Sequence, residues 1–248
     1  MGVLRNLLFP PRCAACRKLL PFDGAGGEHI MCLECRGAFE AEKIKLCRMC
    51  GSLMMDCRCM PDMLGDVGCA ALVKLASYRA ADLRGVINKI VNNNKRYKYN
   101  ESFEFAARQL LPCIGRSLDE RQTQAENVIV SFCPRSRRAY RQNGFDQAQM
   151  LAQYIAALGG FTCERLLSRR RRDSSQSQKK LGFEARATNV RGAIMLSCDR
   201  TLEGKTVLLV DDVVTSGATM SACVSLLLGA GAAAVIGVCI AAAKSENR

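Results

Sequence analysis

The stretch VLLVDDVVTSGAT, residues 207–219, decides the fold. Its four leading aliphatic residues do not alternate with polar ones, as expected of a strand buried on both faces in a helix-covered parallel sheet. Two acids follow at the carboxyl end of that strand, where open α/β sheets bind their ligands. Thr215, Ser216, Gly217, Ala218 and Thr219 then turn into a helix. Unpaired amides at a helix N-terminus attract an anion, Gly217 lets the backbone come close to it, and three hydroxyls add donors. The loop is neither G-x4-G-K-[ST] nor G-x-G-x-x-G. Asp211 and Asp212 cannot serve a phosphate directly, because like charges repel. They can accept hydrogen bonds from the vicinal hydroxyls of a ribose, or hold Mg²⁺ through water.

Working outward, strands are read at 127–133, 206–210 and 233–240, and helices at 145–158 and 218–228. That alternation over residues 126–248 predicts an α/β domain with a parallel sheet. Residues 66–125 read as mainly helical. Leu83, Val86, Ile87, Ile90 and Val91 recur at helical spacing, and a second helix is read at 102–111, before Pro112. The run 224–243 has the length of a membrane span, but it is rich in Ala and Gly and is split by Gly229-Ala230-Gly231. A helix, a glycine stop and a buried strand account for it, so no membrane span is expected.

The chain has 15 cysteines, eight of them between Cys13 and Cys59. Cys13, Cys16, Cys32 and Cys35 form two C-x2-C pairs fifteen residues apart, a zinc-ligand spacing. Each pair places two thiolates on one side of a tight loop, and two loops complete a tetrahedron. Cys47, Cys50, Cys57 and Cys59 form a second set ending in C-x-C. Two structural zinc sites in series are expected, with an interleaved arrangement as the alternative that the spacings also allow. Four thiolates leave no open position for catalysis, and a small domain needs such staples to fold. The opening MGVLRNLLFPPRC has too short an apolar run, and no small-residue cleavage site, to be a secretory leader. Reduced, zinc-bound cysteines in the cytoplasm are the expectation. His29, the sole histidine, lies between the halves of the first set and reads as an exposed loop residue. Its absence from the C-terminal region excludes Ser-His-Asp or Cys-His chemistry built there.

The formal charge is +13, and residues 134–192 concentrate it, with 13 Lys or Arg against 4 Asp or Glu. Such a stretch suits a polyanion, either nucleic acid or a phosphorylated small molecule. With no tryptophan and 6% aromatic residues, a base-stacking platform would have few rings.

Residues 207–219 resemble the phosphoribosyl pyrophosphate motif of the phosphoribosyltransferase family. Further pieces are Pro134, Arg138, Arg141, Gly144, Phe145, Asp146 and Gln147, then Gln176, Gln178 and Leu181, then Asn189, Val190, Arg191 and Gly192. With the cysteine pairs ahead of them, their order is similar to that of the ComF family of competence-related proteins. The resemblance implies a double zinc ribbon over 1–65 and a phosphoribosyltransferase-type α/β domain over 66–248. It assigns the ribose, and any catalysis, to Asp211 and Asp212, and the 5′-phosphate to residues 215–219. It also implies a pyrophosphate loop at 133–135, with Arg135, Arg138 and Arg141 as ligand-binding arginines, and a mobile lid at 168–187. Two functions are compatible with it. One is a ribose-phosphate-binding protein that handles single-stranded DNA and meets competence-machinery proteins. The other is an active phosphoribosyltransferase of nucleotide metabolism, using magnesium with phosphoribosyl pyrophosphate.

Overall fold

The aliphatic run after Lys205 becomes the centre of the sheet. The computed structural model describes residues 10–21, 30–47, 49–78, 85–97, 100–135, 137–170, 193–197 and 201–243, with backbone alone for 137–139. In chain order the elements are α1 (Leu33–Lys43), α2 (Asp62–Asp66), β1 (Ala71–Tyr78), α3 (Val86–Arg96), α4 (Asn100–Asp119), β2 (Val128–Phe132), α5 (Arg137–Asn143), α6 (Gln147–Gly159), β3 (Thr162–Cys163), β4 (Leu167–Arg169), β5 (Ile194–Leu196), β6 (Thr206–Val214), α7 (Ala218–Gly229) and β7 (Ala234–Ala243). Five strands pair in parallel in the order β1-β7-β6-β2-β3. β4 and β5 form a separate antiparallel pair. His29, the motif pieces from Gln176 to Gly192 and most of the expected lid lie outside the described residues.

Side chains alternate across β6, so its unbroken apolar run feeds two cores. Leu208 and Val210 pack with α3, α4 and α6 on one face. Val207 and Leu209 pack with α7 on the other. All four are fully buried, each worth about 1.5–3 kcal/mol relative to exposure. The run 224–243 is indeed the end of α7, a turn at Gly231 and strand β7. Among the described residues no helix is long and apolar enough to cross a membrane.

The structure departs from the sequence expectations in several places. Residues 71–78, read as part of a helical stretch, form an edge strand paired with β7. Six consecutive buried residues there hide the period of two, and Lys74 sits among them as a buried charge. Residues 33–43, in the cysteine-rich stretch where no helix is read, form helix α1, which buries only Cys35 and Phe39. Pro112 lies inside α4 instead of ending it. Pro112 is exposed while Leu110, Cys113 and Ile114 are buried, so packing carries the helix past a missing hydrogen bond on its solvent face. Finally, the helix read from 145 begins at Gln147. The Asp146 side chain accepts from the Gln149 amide and caps it.

Candidate functional site: a cleft at the sheet's carboxyl edge and two cysteine clusters

β6 runs through both acids before it stops. Asp211 still pairs with Cys239 of β7. The Asp212 amide donates to the Asp211 carboxylate at 2.8 Å, and the Val213 amide donates to the Asp212 carboxylate at 2.8 Å. Each acid is thus held by the next peptide. Together they line a cleft of about 250 Å³ with Pro134, Arg135, Asp146, Arg169 and Thr219. The Arg169 guanidinium is fixed by donating to the Pro134 carbonyl at 2.9 Å. Burial, then the neighbouring Asp212 charge, pushes the Asp211 carboxyl well above the usual carboxylate range. Burial also raises Asp146, against the pull of the Gln149 amide and the Arg135 charge. Asp211 and Asp146 are thus raised by burial although Arg135 and Arg169 line the same cleft, and a cation or hydroxyl-rich ligand beside the acids would relieve them.

The loop from Thr215 to Ala218 adjoins this cleft through Thr219. Gly217 has φ +81° and precedes the first residue of α7, a left-handed position that favours glycine. The glycine also answers a neighbour that the sequence reading did not anticipate. A Cβ here would lie 3.2 Å from Pro61 Cβ and 3.4 Å from Leu64 Cγ. One loop amide, that of Ala218, donates weakly to the Ser216 hydroxyl at 3.4 Å. Of the expected arginines, Arg135 lines the cleft. Arg141 is exposed on α5, and the Arg138 side chain lies outside the described atoms.

Sequence reasoning missed Lys95 as a member of the cleft, whereas Cys133 falls within the expected pyrophosphate loop. Lys95 arrives from α3, and no local pattern ties it to Asp211. Cys133 contacts the Cys223 thiol, which, with burial and the Asp211 charge, raises its pKa strongly.

The eight cysteines separate into two clusters in series, Cys13, Cys16, Cys32 and Cys35, then Cys47, Cys50, Cys57 and Cys59. Within each, the four sulfurs lie within 4.8 Å of one another. A tetrahedron of thiolates about 2.3 Å from a zinc ion has edges of about 3.8 Å. The separations Cys16–Cys32 and Cys50–Cys57 are 3.8 and 3.7 Å. Burial, then the hydrogen bonds and charges of neighbouring thiols, pushes Cys59 up to about 12. Hydrogen bonds from Ser52 bring Cys50 down to about 6, and metal binding takes all four as thiolates. At the second cluster Lys74 supplies a further observation. This lysine is 5% exposed and donates to the carbonyls of Cys57 at 2.8 Å and Cys59 at 2.7 Å. A buried ammonium calls for nearby negative charge, and a zinc ion with four thiolates carries a net charge of about −2. Both clusters therefore fit zinc. Lys74→Met should leave the chain folded but weaken zinc retention at the second cluster by roughly 10–100-fold, the usual scale for a group just outside the ligands. Competition with a chromogenic chelator reads this directly, and an unchanged release curve would refute the role of the lysine.

Residues 143–248 match the phosphoribosyl transferase domain family. The chain is 28% identical over 236 residues to DNA utilization protein YhgH of Salmonella typhimurium strain LT2, covering 92% of this chain and 96% of that protein. The Escherichia coli strain K12 protein of the same name is 27% identical over 234 residues, with the same coverage. Among solved structures, purine phosphoribosyltransferase from Pyrococcus horikoshii overlaps 56% of this chain and 74% of that one. Its TM-score of 0.33 and 16% identity are too low to align site residues. The chain thus has the ComF-type make-up, with two four-cysteine clusters that fit zinc ribbons ahead of a phosphoribosyl transferase domain at residues 143–248.

Proposed function

We propose that the cleft binds a ribose 5-phosphate ligand such as phosphoribosyl pyrophosphate, with Mg²⁺, and that the chain uses it in handling single-stranded DNA during uptake, on the cytoplasmic side. One observation carries the ligand reading. Asp211, Asp212, Thr219, Pro134 and Arg135 come from distant parts of the chain and line one cleft. The acids suit ribose hydroxyls or a hydrated Mg²⁺. The start of α7 offers amides and hydroxyls to the 5′-phosphate. Arg135 and Arg169 can neutralise a second anion. If the ligand reacts, such chemistry would need positioning and charge stabilisation rather than a covalent nucleophile. The DNA reading is supported by the similarity to DNA utilization protein YhgH and by the basic stretch 134–192.

Calorimetric titration with phosphoribosyl pyrophosphate and Mg²⁺ tests the ligand. Wild type should bind, and the double variant Asp211→Asn/Asp212→Asn should lose about 100-fold or more, the size of two charged hydrogen bonds. Absence of binding by wild type would end the ligand reading. The single variant Asp211→Asn should also melt higher than wild type. A carboxyl raised in the folded state favours folding while protonated and opposes it as pH rises above its unfolded value. The gain should therefore be largest near pH 8, roughly 2–4 °C for a change of ~1 kcal/mol, and vanish toward pH 4. Binding of single-stranded DNA should fall steeply with salt and be unaffected by these substitutions, as befits a separate basic surface.

A further inference from the structure

The cleft has one cationic wall member that belongs neither to the sheet ends nor to the matched domain. Lys95 stands in the last turn of α3. Its ammonium lies 5.6 Å from the centroid of the Tyr78 ring, at the carboxyl end of β1. α3 belongs to the face of the sheet that carries α4 and α6, whereas α7, which follows the proposed 5′-phosphate loop, belongs to the other face. The Gln147 side-chain amide donates to the Asn94 carbonyl at 3.4 Å. This sets the end of α3 beside the start of α6, on the side of Asp146 and Arg135 rather than of Thr215.

α3 is also fastened outside the sheet. Glu42 accepts from the Val86 and Ile87 amides at 2.7 and 3.2 Å, capping its first turn. Near its other end the Asn93 side-chain amide donates to the carbonyls of Ala14 and Ala15, at 2.7 and 2.9 Å. Those two residues form the turn between Cys13 and Cys16. Arg17, just after that turn, stacks over Tyr97 at 4.6 Å. The first cysteine cluster therefore grips α3 within two residues of the lysine.

We propose that Lys95 binds the second anionic group of the cleft's ligand, the pyrophosphate or its equivalent, and that Asn93 positions it by tying α3 to the first cysteine cluster. The inference rests on the ligand reading above and extends it to a residue from outside the matched domain. It gives the first cluster a part in the ligand site, by holding the wall that carries the lysine.

Titration of the full-length, zinc-loaded chain with two probes tests this, namely Mg²⁺-pyrophosphate and ribose 5-phosphate. Lys95→Ala should weaken pyrophosphate by roughly 10–100-fold, the size of one charged hydrogen bond, and leave ribose 5-phosphate unchanged. Lys95→Arg should restore most of the loss. Asn93→Ala should weaken pyrophosphate less, retain two zinc ions per chain, and add nothing further in the Lys95→Ala background, because it acts through that residue. Unchanged pyrophosphate binding in Lys95→Ala, or equal losses for both probes, overturns the proposal and leaves the ligand reading standing. Failure of wild type to bind either probe overturns both. Additive losses in the Asn93→Ala/Lys95→Ala pair overturn the positioning role alone.

Discussion

Cys57→Ser should reduce the metal content from two zinc ions per chain to one, and it should do more damage than loss of four bonds to a peripheral ion. Cys57 is 4% exposed and belongs to the larger hydrophobic core. Its carbonyl and that of Cys59 hold the buried Lys74 ammonium. Without the thiolate cluster that ammonium remains buried in the middle of β1 with carbonyl partners and no ion pair among the described residues, which costs several kcal/mol. Structural zinc itself contributes about 10–16 kcal/mol of apparent binding energy in isolated finger peptides, so even a fraction of it exceeds the effect of an ordinary core substitution. The expected result is a melting transition lowered by roughly 10 °C or more, since a change of ~1 kcal/mol is worth 2–4 °C in a chain of this size. Cys16→Ser should also remove one ion but leave Lys74 compensated. Metal analysis and thermal denaturation of the two variants separate these effects. Equal destabilisation by both would mean that Lys74 does not depend on the second cluster.

The reach of that cluster explains which features could be read from the chain and which could not. The strand β6, the start of α7 and both cysteine sets are local patterns. A run of aliphatics, T-S-G-A-T and C-x2-C pairs each state their chemistry within a few residues. Pairing of the cysteines in series is not local, because interleaving satisfies the same spacings. Contact between sulfurs such as Cys50 and Cys57 supports the series arrangement. Strand β1 was hidden by Lys74, whose charge reads as an exposed position until the carbonyls of Cys57 and Cys59 are seen around it. Lys95 shares the last turn of α3 with Arg96, and nothing local singles it out. Only the fold, which sets the end of α3 beside the start of α6, brings it to the cleft of Asp211. Asp146 was quoted as part of a motif without a role, and its burial at the start of α6 supplies one. In each case the missing information was a partner far away in sequence, which propensity and spacing do not carry.

Gly217→Ala should then be strongly destabilising, for two separable reasons. The backbone at φ +81° is left-handed, and a Cβ there costs about 1–2 kcal/mol. The new methyl would also stand 3.2 Å from Pro61 Cβ and 3.4 Å from Leu64 Cγ. Neither neighbour yields easily. The Pro61 ring is rigid, and Leu64 is fully buried at the start of the α2–α7 contact. Overpacking of this kind adds about 1–3 kcal/mol. The combined loss, about 2–5 kcal/mol, would lower the melting transition by roughly 5–15 °C. Pro61→Gly in the same chain should return the packing share and leave the backbone share, so the double variant should recover part of the stability. Ligand binding should follow a different course. The amides of residues 217–219 keep their direction only while Gly217 keeps its conformation, so affinity for ribose 5-phosphate should stay low in the double variant. If Pro61→Gly restores affinity together with stability, the loop serves as packing against α2 and not as the phosphate site. A neutral Gly217→Ala would remove both arguments at once.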